Sequence, residues 1–396
     1  MTWPTKKLGE ISRIFSGSSA PQGEKYFKNG KYPFVRVFDL ATPRSGTELV
    51  ETRDYVNELA ITELNLVEAQ KGAIVFPKSG ASILNNNRAM LGTNAYVVSH
   101  LSAIEVNEDL AVRNWVYYFL SKFDMGKLVS DPGYPSLNIS AIEKIKIPLP
   151  PLATQKQIVD RLDKIAEAQK LNDELIQTTN ELFQSLLHKE LNPVRDSKHS
   201  NGVNPAGKNW EFKNLEDVTK IIMGQSPSST SYNESGHGLP FFQGKADFGE
   251  LYPNTVKYCS APSRIAEPED ILISVRAPVG DINLAKCKSC IGRGLAAIRG
   301  NTKIVEQMFL YFIFKKNEKN WQRQSTGSTF AAITKDKLTD YKIPVPPLEV
   351  QKQIVAKLSA VQDYKKQLLE QKAKLKELFD STLSRSMTNE KKSKDA

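Results

Sequence analysis

Apolar and polar positions along this chain change rhythm twice, at matching places. After Pro150-Pro151, Ile158, Leu162, Ile165, Ile176, Thr179, Phe183 and Leu186 recur mostly three or four residues apart. After Pro346-Pro347 the same spacing returns as Ile354, Leu358, Val361, Leu368, Leu375 and Phe379, interrupted by Lys365 and Lys372. A narrow apolar seam on an otherwise charged stretch predicts a long helix of coiled-coil type. Proline is tolerated only in the first turn, so each proline pair fixes where its helix starts. Upstream of each helix the pattern is short β-branched or aromatic runs bounded by Gly, Pro or Asn. These predict strands at 34–38, 73–76 and 96–98, and again at 239–242, 271–275 and 295–298. Two stretches apolar on most faces, 112–120 and 305–314, predict buried helices.

The two rhythms are copies. Residues 146–159 read KIPLPPLATQKQIV and residues 342–355 read KIPVPPLEVQKQIV, eleven of fourteen positions being identical at an offset of 196. Glu181-Leu182-Phe183 recurs as Glu377-Leu378-Phe379 at that same offset. Near the start, Trp3, Leu8, Ile14 and Gly17 match Trp210, Leu215, Ile221 and Gly224 at an offset of 207, and Pro33-Phe34 matches Pro240-Phe241. The first copy thus carries eleven extra residues in its interior. Such a duplication sets the architecture before any local reading.

The expected fold class is α+β: two tandem-repeat globular domains held apart by an antiparallel two-helix coiled coil. The boundaries are a first domain at 1–150, a central helix at 151–190, a linker at 191–209, a second domain at 210–346, a C-terminal helix at 347–387 and a frayed tail at 388–396. A helix of about 38 residues, at 1.5 Å per residue, is roughly 57 Å long.

Composition narrows the class. The 396 residues exceed one core and suit two domains. Hydrophobic content of 40% and charged content of 25% are ordinary for a globular protein. No apolar run is long enough to cross a bilayer and the opening residues lack a signal-peptide core, so a cytoplasmic protein with no membrane partner is expected. Three cysteines cannot build a disulfide framework. The net charge of +10 is spread along the chain and permits a nucleic-acid partner without demanding one.

Two diverged domains, each followed by I-P-[LV]-P-P-L-x-x-Q-x-x-I and a long helix, resemble the specificity subunit of type I restriction-modification enzymes. The resemblance covers essentially the whole chain, and the motif carries Gln155 with Ile158 and Gln351 with Ile354. It implies that each domain is a target recognition domain for one half of a bipartite site on double-stranded DNA. It implies further that the helices set the spacer and dock two methyltransferase subunits, which restriction subunits join. On that footing the chain is not itself an enzyme and binds no cofactor. S-adenosylmethionine, ATP and Mg belong to the other subunits. The alternative left open is a tandem-repeat protein-interaction scaffold that binds no DNA.

Bases are read by Arg, Lys, Asn, Gln, Ser and Thr, so loops rich in these types are the candidates for DNA contact. In the first domain they include Ser18, Arg36, Ser79, Asn86, Arg88 and Tyr134; in the second, Gln225, Gln243, Lys245, Arg276, Arg293 and Ser328. Arg88 and Arg276 stand out because each follows a predicted strand where the copies diverge. The identical polar residues Gln155, Lys156, Gln157 and Gln351, Lys352, Gln353 are not explained by an apolar seam, and are expected to face a partner. Asp131-Pro132-Gly133-Tyr134 nears the Asp-Pro-Pro-Tyr motif of adenine methyltransferases, but Gly replaces the second Pro, and a turn is the better reading. Cys287 and Cys290, with Cys259 and His237, have irregular spacing for a zinc site, and no metal is expected.

Overall fold

The structure is a computed structural model and describes residues 3–40, 48–131, 133–192, 210–323 and 332–388. Most of the expected linker, the tail beyond Thr388, Pro132 and Ser328 lie outside the described residues. The chain divides into two units: residues 1–175 with 368–396, and residues 176–367.

Unit 1 runs β1 (Thr5–Lys7), α1 (Leu8–Ile11), β2 (Ser12–Ser16), β3 (Tyr32–Val35), β4 (Glu48–Leu49), β5 (Asp54–Val56), α2 (Glu58–Leu64), β6 (Glu68–Ala69), β7 (Ile74–Pro77), β8 (Ala89–Leu91), β9 (Ala95–Val97), β10 (Leu101–Val106), α3 (Arg113–Lys122), α4 (Ile139–Glu143) and β11 (Lys146–Pro148), then enters α5 (Leu152–Glu190). Its sheets have the orders β2-β10-β7-β8-β4 and β5-β3-β9-β6, and β1 pairs antiparallel with β11, Thr5 opposite Pro148. That last pair ties the start of the unit to the strand that feeds α5.

The second copy keeps this order in outline, lacking β4 and α2 and adding β14 and α8, as β12 (Glu211–Asn214), α6 (Leu215–Val218), β13 (Thr219–Met223), β14 (Tyr232–Asn233), β15 (Leu239–Phe242), β16 (Lys257–Cys259), β17 (Ile265–Ala266), β18 (Ile271–Ser274), β19 (Ile282–Leu284), β20 (Ser289–Ile291), β21 (Leu295–Gly300), α7 (Gln307–Lys316), α8 (Glu318–Arg323), α9 (Lys335–Thr339), β22 (Lys342–Val345) and α10 (Leu348–Thr388). Here the sheets are β13-β21-β18-β19 and β14-β16-β15-β20-β17, and β12 pairs with β22.

The long helices start where proline permits. Thr154 and Gln155 donate to the Pro151 carbonyl at 2.8 and 3.0 Å, and Val350 and Gln351 to that of Pro347 at 2.9 and 3.1 Å. Within unit 1 the early part of α5 packs on the late part of α10. Leu383 is buried in one core with Val159, Leu162, Trp115 and Phe76. Phe379 meets Tyr118 edge-on at 5.5 Å, and Trp3 Nε1 donates to the Ser386 carbonyl at 2.8 Å. Gln169 donates to the Leu375 carbonyl at 3.1 Å and Asn172 to that of Leu368 at 3.0 Å. Numbers rise along one helix as they fall along the other, so the pairing is antiparallel.

Within unit 2 the same direction holds: Leu187 and Leu191 share a core with Ile354 and Leu358, and Lys357 pairs with Glu190 at 3.1 Å. The two lysines that interrupt the α10 seam are both used. Lys372 pairs with Asp173 at 2.8 Å in unit 1, and Lys365 with Glu250 at 3.0 Å in unit 2.

Candidate nucleic-acid interface

In each unit four strand ends close on one another, and the backbone hydrogen bonds that close them are duplicated. In unit 1, Gly17 donates to Leu101 at 3.2 Å, Ser18 to Val97 at 2.8 Å, Val98 to Val35 at 3.0 Å and Lys78 to His100 at 2.9 Å. In unit 2, Gly224 donates to Leu295 at 2.9 Å, Gln225 to Ile291 at 3.1 Å, Gly292 to Phe242 at 2.8 Å and Val275 to Gly294 at 2.8 Å. The approach requires glycine at two places: a Cβ on Gly17 would lie 2.0 Å from the Val97 oxygen, and one on Gly224 2.2 Å from the Gly292 oxygen. A further bridge joins Ser79 to Ser136 in one unit and Arg276 to Ala332 in the other.

Equivalent positions on this shared backbone carry different side chains. Two residues past β2 and β13 stand Ser18 and Gln225, and one residue past β3 and β15 stand Arg36 and Gln243. Two residues past β7 and β18 stand Ser79 and Arg276; two past β9 and β20 stand Ser99 and Arg293. Candidates that are far apart in sequence are thus brought to one edge of each unit.

On the unit 2 edge, Gln225, Gln243, Arg276 and Arg293 are exposed. Among the described residues neither Arg276 nor Arg293 has an acidic partner. Lys245 is different, since Asp281 neutralises it at 2.8 Å. Arg264, which the sequence reading passed over, is exposed beside this edge: its carbonyl accepts from Ile291 at 3.0 Å, and its neighbour Ser263 donates to the Gln225 carbonyl at 2.9 Å. A lone arginine before a two-residue strand carries no pattern to find it by.

On the unit 1 edge the groups are smaller or already engaged. Ser18 Oγ accepts from the Val67 N–H at 2.8 Å. Arg36 pairs with Asp54 at 2.5 Å and lies over the Phe34 ring. Ser79 Oγ is 2.6 Å from His100 Nδ1, and His100 is an exposed residue that was not among the candidates. Tyr134, on the loop that bridges back to Ser79, is 80% exposed.

Arg88 is a correction. Expected to read bases, its guanidinium instead bonds to Asn86 Oδ1 and to the Phe123 carbonyl. Nε and Nη1 are shielded from solvent without partners among the described residues, and burial pushes its pKa down to about 10. Asn86 shares this inward role, in a left-handed conformation (φ 54°) that asparagine tolerates, and its Oδ1 also accepts from Met125. The pair anchors a loop from inside.

Gln155 and Gln351 are the second correction. Both are fully buried, so neither can face a partner. Gln155 Oε1 accepts from the Val112 N–H at 2.8 Å while its Nε2 donates to the Pro150 carbonyl at 2.7 Å. Gln351 does the same with the Glu306 N–H at 2.8 Å and the Pro346 carbonyl at 2.8 Å, adding Ile304 at 3.0 Å. Val112 and Glu306 are the N-cap residues of α3 and α7. Each glutamine therefore staples the start of a long helix to the start of a buried one, which accounts for its identity in both copies. Lys156, Gln157, Lys352 and Gln353 are exposed, Lys352 pairing with Glu349 at 2.8 Å.

Cys259 and Cys290 are buried against Phe241, whereas Cys287 is exposed; no cluster of three or more His, Cys, Asp or Glu placed for a metal occurs among the described residues. Asp131 Oδ1 accepts from Gly133 N–H at 2.8 Å, as in a turn. No helix among the described residues is long and apolar enough to cross a membrane.

This geometry defines a class: a tandem α+β protein whose two units offer one scaffold with different polar edges. The sequence profile described as the type I restriction modification DNA specificity domain matches residues 1–181 and 207–378, and the chain belongs to that family. It is 42% identical over 258 residues to a Methanocaldococcus jannaschii chain described as the MjaX type I restriction enzyme specificity subunit, covering 64% of this chain and 60% of that one. It is 26% identical over 199 residues to the EcoR124I/EcoR124II specificity subunit of Escherichia coli, 46% of this chain and 47% of the relative. Among solved structures, the HsdS subunit from Thermoanaerobacter tengcongensis matches with a TM-score of 0.50 at 29% identity over 97% of this chain and 96% of that one. A chain from a study of assembly and conformational transition in the type I R-M system matches with a TM-score of 0.62 at 29% identity over 98% of both.

Proposed function

We propose that this protein is the DNA specificity subunit of a type I restriction-modification complex, in which each unit reads one half of a bipartite site on double-stranded DNA. The observation that carries the reading is the duplicated strand-end edge, where one set of backbone hydrogen bonds presents different side chains in the two units. One scaffold with two readouts suits one duplex with two half-sequences. The role is placement without chemistry. Methyltransferase subunits, two of them, dock against the helices through exposed groups such as Lys156, Gln157, Lys352 and Gln353, and restriction subunits join them. S-adenosylmethionine, ATP and Mg act in those subunits, in the cytoplasm. The long helices set the spacer between half-sites.

The test is single-molecule sequencing of DNA methylated by the complex assembled with its methyltransferase. The expected result is one asymmetric, split motif. Four residues inserted in the middle of α5 lengthen the spacer and leave both half-sequences unchanged. A complex without salt-sensitive DNA binding, or without a split motif, contradicts the reading and favours a protein scaffold.

A further inference from the structure

We infer that unit 2 reads a half-site containing guanine, with Arg276 and Arg293 as the donors to its major-groove edge. The inference rests on the DNA-reading role proposed above and goes beyond it by naming the base and the readers.

Three observations carry it. The two arginines flank a single hydrogen bond, from Val275 N–H to the Gly294 carbonyl at 2.8 Å, so they leave neighbouring segments of one edge. Their backbones are held on both sides: Arg293 N–H donates to Ser226 Oγ at 3.4 Å, and Ile333 N–H donates to the Val275 carbonyl at 3.0 Å. Both side chains are exposed with no acidic partner among the described residues, whereas Arg13, Arg36, Arg113 and Arg299 are each paired with a carboxylate. An unneutralised guanidinium on a rigid edge is free to present its planar fork to an acceptor pair.

Phosphate and base are separated by comparing the copies. The sugar-phosphate chain is the same in both half-sites, so a contact to it can stay the same in both units. At these positions the chemistry changes on an unchanged backbone, from Ser79 to Arg276 and from Ser99 to Arg293. What differs between half-sites is the bases, and the acceptor pair that matches an arginine fork is O6 and N7 of guanine.

The experiment maps the methylated motif of the complex carrying Arg276→Lys, Arg276→Ala, Arg293→Lys or Arg293→Ala. Lysine keeps the charge and loses the fork. The expected outcome is relaxation at a G·C pair, confined to one half-site, in both Lys and Ala variants, with discrimination at that pair falling about tenfold or more. The other half-site and the recovery of methyltransferase with the variant stay as in the wild type, which excludes misfolding. A motif left intact with methylation slowed alike at every site, restored by Lys, would make these phosphate contacts and overturn the inference. So would relaxation at an A·T pair. A wild-type complex with no split motif would instead remove the DNA-reading role itself.

Discussion

Asn172 and Leu368 hold the same position in the two copies, 196 residues apart, and they touch: the Asn172 amide donates to the Leu368 carbonyl at 3.0 Å. A residue meeting its own counterpart marks the point where the duplicated helices cross within unit 1. Asn172 is buried, and its Oδ1 has no partner among the described residues. A buried amide that is half satisfied fixes register at a cost in stability. Asn172→Leu is therefore expected to stabilise the protein by about 1–2 kcal/mol in urea denaturation. Lower stability would show that the amide contributes more than alignment.

The glutamine staples predict a graded loss. Gln155→Ala strands the Val112 N–H and the Pro150 carbonyl, and Gln351→Ala strands three groups. Leaving buried groups unpaired costs about 1–3 kcal/mol. Denaturation should show both variants destabilised, Gln351→Ala more so. A neutral result would remove the staple role.

Readout in unit 1 should depend on His100. Ser79 Oγ lies 2.6 Å from its Nδ1, and the residue is exposed on the edge. His100→Ala is expected to relax one half of the methylated motif, the half that Arg293 variants leave intact. Ser79→Ala is expected to weaken the same half more mildly. Relaxation in both halves would separate His100 from unit 1 readout.

Docking should depend on an exposed lysine side chain presented twice, Lys156 and Lys352. Lys156→Glu or Lys352→Glu alone is expected to lower co-purified methyltransferase to about half, and the double change to abolish it, as for two equivalent sites. Unchanged recovery in the double variant would move the docking surface elsewhere.

Alkaline stability follows from two buried phenols. Burial, and then the hydrogen bond to Asp163, hold Tyr118 well above the ordinary 10.0, and burial raises Tyr311. The unfolded chain releases these protons near pH 10 while the folded chain keeps them, so stability falls as pH rises beyond that value. Melting temperature between pH 8 and 11 should drop, less steeply in Tyr118→Phe. Equal slopes would assign the loss to other groups.

The repeat, the class of fold and the long helices were legible because proline pairs and a sustained apolar seam are strong local signals. Strands at 239–242 and 271–275 were found within a residue of β15 and β18. Strands as short as β6 and β17, and helix α2 among the extra residues of the first copy, have too little pattern to register. Polar side chains were the hard part. Glutamine and arginine are usually surface residues, so nothing local distinguishes Gln155, which bonds inward, from Gln157, which is exposed. Position after a strand brought Arg276 to the edge and says nothing of direction, which is why Arg88 was misread. His100 could have been found only by aligning it with Gly294.

Unit 1 is built from two stretches far apart in sequence, residues 1–175 and 368–396. Its core contains Leu383, and Trp3 bonds to Ser386. During synthesis residues up to 175 emerge without those partners and wait for about 210 more; at 5–20 residues per second that is roughly 10 to 40 s. For that interval Val159 and Leu162 lack the residue that covers them. Unit 1 is thus the last to be completed, and a ribosome that stops between residues 367 and 383 releases a chain with every residue of unit 2 in place and the core of unit 1 uncovered.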